Sequence, residues 1–109
     1  MRGFVCYENM QCPIRPDILS SGRPVVIVSA RPDRSVVQVV PFTSNLKKSA
    51  DGDPMHIPVE INGVPSIALC EQLRTVRWAE LRTGAFIGQC AEEEMSAIDR
   101  AIKVLLGLQ

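Results

Sequence analysis

Short apolar runs alternate along this chain with polar breaks rich in proline and glycine, and a helical period emerges only at the C-terminal end. Phe4 to Tyr7 is an apolar and aromatic run fit to open a sheet. From Glu8 to Gly22 the composition turns to Pro, Asn, Ser, Gly and Asp, a loop of about fifteen residues, a length usually tied to function. Val25 to Ser29 is mainly β-branched and predicts a strand buried on both faces. Pro24, with no N–H to give, suits the first position of that strand. Arg31 to Arg34 is turn chemistry around Pro32, and Ser35 to Pro41 predicts the returning strand of a hairpin. Thr43 to Pro54 is polar and reads as a second loop.

Met55 to Ile61 alternates as a half-buried strand, and Asn62-Gly63 after it is a strong hairpin turn. Ser66 to Val76 predicts one long strand whose apolar positions, Ile67, Leu69, Leu73 and Val76, lose alternation around Glu71-Gln72. That break predicts a bulge. Trp78 to Leu81 predicts a single helical turn and Ala85 to Cys90 a last short strand. Glu92, Glu93 and Glu94 suit the positive end of a helix. Met95, Ile98, Ala101, Ile102 and Leu105 then form its apolar stripe, and Gly107 falls at its C-cap. No repeat, low-complexity tract or linker interrupts residues 1–109, which predict one domain. About six strands and one packed helix predict a mainly β (α+β) fold, a small curved antiparallel sheet or partial barrel with a C-terminal helix.

Composition narrows the partners. Twelve basic and twelve acidic side chains cancel, so nucleic acid would have to be met by a local cluster, not a global field. No run approaches the roughly 20 apolar residues of a membrane span, and residues 1–10 lack the order of a signal peptide. The chain is therefore expected in the cytoplasm, where its four cysteines stay reduced. Cys6, Cys12, Cys70 and Cys90 have no paired zinc spacing, so no metal and no cofactor are expected.

The candidate chemistry lies at strand ends. Arg23 opens a strand beside Gly22, and its planar fork matches phosphate; a solvated rim arginine is the plain alternative. Thr43, Ser44 and Asn45 follow the next strand with two hydroxyls and an amide, suited to phosphate oxygens or simply to a strand-to-loop turn. Lys47 and Lys48 extend that loop with positive charge. His56, the one histidine, is either a group for proton transfer near neutrality or an ordinary half-exposed residue. Glu71 is open to three readings: taking a proton, contacting a base edge, or pairing with an arginine. Arg74 lies near it at an odd spacing, on the opposite face of a regular strand. Trp78 suits packing better than base stacking. A phosphate-binding glycine loop, a nucleophile elbow and a His-Glu metal motif are all absent from the sequence.

Taken in order, Gly-Arg-Pro-Val-Val-Ile-Val-Ser (22–29), Val-Val-Pro-Phe-Thr-Ser-Asn (39–45), His-Ile-Pro-Val (56–59), Ala-Leu-Cys-Glu-Gln-Leu-Arg-Thr-Val (68–76) and Ile-Gly (87–88) resemble the MazF/PemK family of toxin endoribonucleases. The resemblance continues through Glu93 to Leu108. It implies an SH3-like small barrel acting as a homodimer, with single-stranded RNA, such as mRNA, in a groove at the interface. It implies metal-independent cleavage in which the RNA's own 2′-hydroxyl attacks the phosphate, leaving a 2′,3′-cyclic phosphate and a 5′-hydroxyl. The family's catalytic arginine and threonine fall on Arg23 and Thr43. Ser44, Asn45, Lys47, His56, Glu71 and Arg74 are then expected to contact RNA. The implied partner is an acidic antitoxin, with operator DNA reached only through it and no membrane involved. Residues 16–22, Pro-Asp-Ile-Leu-Ser-Ser-Gly, lack the glutamate and glutamine that many members carry just before the arginine. The alternative expectation is a non-catalytic binding module on the same fold, akin to gyrase-inhibiting toxins or a lapsed nuclease.

Overall fold

The computed structural model describes residues 2–8, 23–29, 34–47, 52–81 and 86–108. Residues 31–33 of the expected turn and most of the loop from Glu8 to Gly22 lie outside these residues. Seven strands are described: β1 (Phe4–Glu8), β2 (Arg23–Ile27), β3 (Val36–Thr43), β4 (His56–Ile61), β5 (Val64–Leu69), β6 (Arg74–Arg77) and β7 (Gly88–Gln89), followed by α1 (Glu92–Leu105). They form one antiparallel sheet in the order β4-β5-β3-β2-β1-β7, with β6 joined to β3. This is the mainly β, curled half-barrel with a C-terminal helix that the sequence predicts.

The long strand expected over Ser66–Val76 is two strands. A 3-10 turn, Cys70–Gln72, separates β5 from β6. The reason lies in β3, which pairs with β6 along Val36–Val39 and with β5 at Phe42 and Thr43. The chain leaves one segment of the β3 edge and rejoins it further along, so it must turn a corner rather than bulge. Cys70 anchors that corner, its N–H donating to the Met55 carbonyl at 2.9 Å. Pro41, which has no N–H to give, falls in the gap between the two partners of β3.

The sheet has a core on each side. On one side Cys6, Val25, Ile27, Val37, Val39, Val76 and Leu81 pack together with Trp78 against them. After β6 and a 3-10 turn at Trp78–Glu80, Leu81 bridges back to Glu8. This bridge wraps β1, β2, β3 and β6 around the first core as a small barrel. On the other side Val5, Val26, Val40, Phe42, Val59, Ile61, Ala68 and Cys70 meet Ile98 and Ala101 of α1. Asn62 (φ 51°) and Gly63 (φ 80°) make the β4–β5 turn, the left-handed pair a two-residue hairpin requires.

The helix is tied at both ends. Ala91, its N-cap, has no side-chain acceptor, but Glu94 reaches back to accept from the Ala91 N–H at 2.7 Å. The second Glu94 oxygen accepts from the Glu60 N–H of edge strand β4, also at 2.7 Å. At the other end Gly107 (φ 71°) closes a Schellman motif: its N–H donates to Val104 and that of Leu108 to Lys103. Arg2 reaches the Val28 carbonyl at 2.5 Å and pairs with Asp99 of α1.

Candidate nucleic-acid interface

Strand register brings the two leading candidates together. Val25 faces Pro41, Val26 faces Val40 and Ile27 faces Val39. Continued to the ends of both strands, this register sets Arg23 opposite Thr43. Cross-strand neighbours share a face, with Cβ atoms about 5 Å apart. Both side chains therefore leave the sheet on the same side, that of the barrel core, at its open end. Arg23 makes no ion pair with any described residue and is half-buried. The Thr43 oxygen accepts from the Asn45 N–H at 3.2 Å, which leaves its hydroxyl hydrogen to donate elsewhere. A guanidinium and a hydroxyl side by side are donors suited to one phosphate.

Ser44, Asn45 and Lys47 are exposed on the turn that follows. The turn is built by its own side chains, Asn45 accepting from the Lys47 N–H at 3.2 Å. Lys47 is thereby held on the segment that leads away from Thr43.

Arg74 is placed by β6, opposite Val39 of β3. Its guanidinium crosses the barrel mouth to the carboxylate of Glu8 on β1, where it forms an ion pair. Glu8 is 7% exposed and is the cross-strand partner of Arg23. Glu8, Arg23 and Thr43 thus form one row across three strands. Sequence reasoning missed Glu8, placing it at the head of a loop.

His56 and Glu71 come together as a second cluster. Their Nε2 and Oε2 atoms lie 2.5 Å apart, and Asp53 Oδ2 is 3.6 Å from the same nitrogen. The His56 side chain is 5% exposed, whereas both carboxylates open to solvent. Asp53 is fixed by a turn in which its Oδ1 accepts from the Met55 N–H at 2.9 Å. Three candidate ligand atoms therefore lie within 4.8 Å of one another, a grouping that no sequence spacing revealed. β5 lies between Thr43 on β3 and His56 on β4. Two strand spacings and the two-residue offset along β5 set their backbones about 12 Å apart. Alternation along β5 keeps His56 on the Thr43 face, since Leu69 pairs with His56 and Ile67 with Thr43.

Cys6, Cys70 and Cys90 are buried free thiols. Burial pushes the thiols up, Cys6 to about 11 and Cys70 and Cys90 to about 12, with Glu8, Glu71 and Glu94 respectively adding to the effect.

The described residues thus form a small curled barrel with Arg23 and Thr43 at its open end. The chain belongs to the PemK-like, MazF-like toxin family of type II toxin–antitoxin systems, whose family model matches residues 2–106. It is similar in fold to the Mycobacterium tuberculosis toxin MazF-mt6, at 22% identity and a TM-score of 0.71 over 97% of this chain and 98% of that one. The MazE–MazF structure (Form-II) from Deinococcus radiodurans is similar at 19% identity and a TM-score of 0.76, covering 99% of this chain and 95% of that one. An endoribonuclease in complex with its cognate antitoxin, from a Mycobacterial species, matches at 22% identity and a TM-score of 0.71, covering 100% and 94%. No curated protein matches the chain. Among the described residues, no helix is long and apolar enough to cross a membrane.

Proposed function

We propose that this chain is a sequence-specific, metal-independent endoribonuclease toxin acting on single-stranded RNA. The observation that carries the reading is the β2–β3 register on a MazF-like barrel, which, continued past Val25 and Pro41, aligns Arg23 with Thr43. The 2′-hydroxyl oxygen gives up its proton and attacks the adjacent phosphorus, the bond from phosphorus to the 5′-oxygen breaks, the 5′-oxygen takes up a proton, and a 2′,3′-cyclic phosphate and a 5′-hydroxyl result. The nucleophile is already part of the substrate. What the protein must add is alignment and stabilisation of the charge that builds on the phosphate oxygens. Arg23 supplies a permanent positive charge and N–H donors, and Thr43 supplies an O–H donor. Neither role calls for a metal ion.

Ser44, Asn45 and Lys47 extend the groove from Thr43 and hold the neighbouring backbone. His56, about 12 Å away on the same face, and Glu71 beside it meet the next base along the strand. A carboxylate there accepts from an exocyclic amino group, so Glu71 contributes to the sequence that is cut. The partner that silences the toxin is an acidic antitoxin segment laid over the Arg23 groove, and the working form is a homodimer. Solved structures of similar fold that hold an antitoxin support an antitoxin as partner.

The test is to incubate the purified protein with a long single-stranded RNA in excess EDTA and to map both new ends. Cuts at one short motif, bearing cyclic phosphate and 5′-hydroxyl, are the expected result. Intact RNA from folded protein would point instead to a binding module.

A further inference from the structure

Glu8 has the wrong sign for a phosphate site, yet it sits in the row that carries Arg23 and Thr43. It is also nearly buried, and a buried carboxylate is tolerated only when paired. Two arginines are placed near it by the sheet. Arg23 is its cross-strand neighbour, but the carboxylate is taken by Arg74, whose side chain is still 31% exposed at the barrel mouth. The mouth therefore holds two guanidiniums and one carboxylate, and only one guanidinium is left unpaired among the described residues.

We propose that Glu8 is a specificity-determining residue that holds Arg74 away from the phosphates, so that one cation, Arg23, meets the RNA backbone there. This rests on the RNA-cleaving reading above and deepens it. Each additional phosphate neutralised by a cation strengthens binding to any sequence alike. A site that must select a short motif gains from keeping that contribution small and leaving recognition to contacts with bases. The ion pair also braces the barrel mouth, because it links the end of β1 to β6 across the row that presents Arg23. Glu8 touches no substrate atom in this scheme and acts through Arg74.

The test is the salt dependence of binding to a short, all-2′-deoxy single strand, which cannot undergo 2′-hydroxyl attack, measured by fluorescence anisotropy across a KCl series. Glu8→Gln frees Arg74, and the slope of log K against log salt is expected to steepen by about 0.7, the value for one added single-strand phosphate contact. The same variant is expected to lose discrimination between the cleaved motif and a scrambled one. Arg74→Gln alone leaves Glu8 buried without a partner and risks unfolding. The double variant Glu8→Gln/Arg74→Gln keeps a neutral hydrogen-bonding pair, and its slope is expected to equal that of the wild type. A double variant whose slope is shallower by about 0.7 would show that Arg74 already contacts phosphate and would overturn this inference alone. A folded wild type that binds no single strand at all would overturn it together with the reading on which it rests.

Discussion

Arg23 at the start of β2 and Thr43 at the end of β3 each lie two residues beyond the Val25–Pro41 pair, so that register, continued, aligns them on one face of the sheet. In the proposed reaction they present a fixed cation and a hydroxyl to a single phosphate. Removing the cation is expected to cost most. Arg23→Ala should lower single-turnover cleavage by about 10²–10³-fold, the usual loss for one preorganised charge-stabilising donor. Arg23→Lys should recover part of that, because a point charge replaces the fork but not its geometry. Circular dichroism should show both variants folded.

Thr43 accepts from the Asn45 N–H and, in the proposed reaction, donates to the phosphate, so its variants separate the two roles. Thr43→Ser keeps the hydroxyl that accepts from Asn45 and should cleave within a few-fold of wild type. Thr43→Val keeps the shape and removes both interactions. Cleavage should fall by about 10²-fold while thermal stability drops by only about 1 kcal/mol, the worth of an exposed turn hydrogen bond.

Much of the scaffold was legible in the sequence because it is set locally. The Asn62-Gly63 turn, the β-branched run of β2, the helical stripe and the Gly107 cap each announce themselves within a few residues. The corner at Cys70–Gln72 does not, since it follows from β3 changing partners, a tertiary event. Glu8 was hidden for a similar reason. An acid at the end of an apolar run looks like the beginning of a loop, and its partner Arg74 is 66 residues away. The contact between His56 and Glu71 could have been found. With Asn62-Gly63 as a two-residue turn, the β4–β5 register follows by counting. It sets His56 opposite Leu69, two positions before Glu71.

Glu94 joins the helix to the sheet through two backbone N–H groups, of Ala91 and Glu60. Glu94→Ala should cost about 1–2 kcal/mol, the range for a lost N-terminal cap. For a domain of this size that lowers Tm by roughly 4–8 °C per kcal/mol. Glu94→Gln, which keeps one acceptor, should fall between. Differential scanning calorimetry at neutral pH checks the order.

Gly88 lies tight against the β4–β5 turn. A Cβ built there would stand 2.7 Å from Ile61 Cγ2, inside van der Waals contact. Gly88→Ala should therefore destabilise the fold by about 1–3 kcal/mol through overpacking. Urea denaturation should show a lower midpoint with an unchanged slope.

The buried thiols give a pH signature. Cys6, Cys70 and Cys90 ionise near 11 to 12 when folded, against 9.0 when exposed. Their raised values mean that the unfolded chain releases protons first. The stability they confer is whole below pH 9 and is lost as pH climbs toward 11 to 12. In a Cys12→Ser background, thiol labelling at pH 8 should be slow in buffer and fast in urea. Rapid labelling of the native protein would refute the buried placement.

The most direct test of the central claim is a pair of matched RNA substrates, one of them lacking only the 2′-hydroxyl at the cleaved step. Single-turnover rates would be measured for wild type and Arg23→Ala in excess EDTA. The account predicts fast cleavage of the all-ribose strand by wild type, loss of that cleavage in Arg23→Ala, and no cleavage of the 2′-deoxy strand even though it binds. Cleavage of the 2′-deoxy strand, or an Arg23→Ala rate equal to wild type, would contradict it.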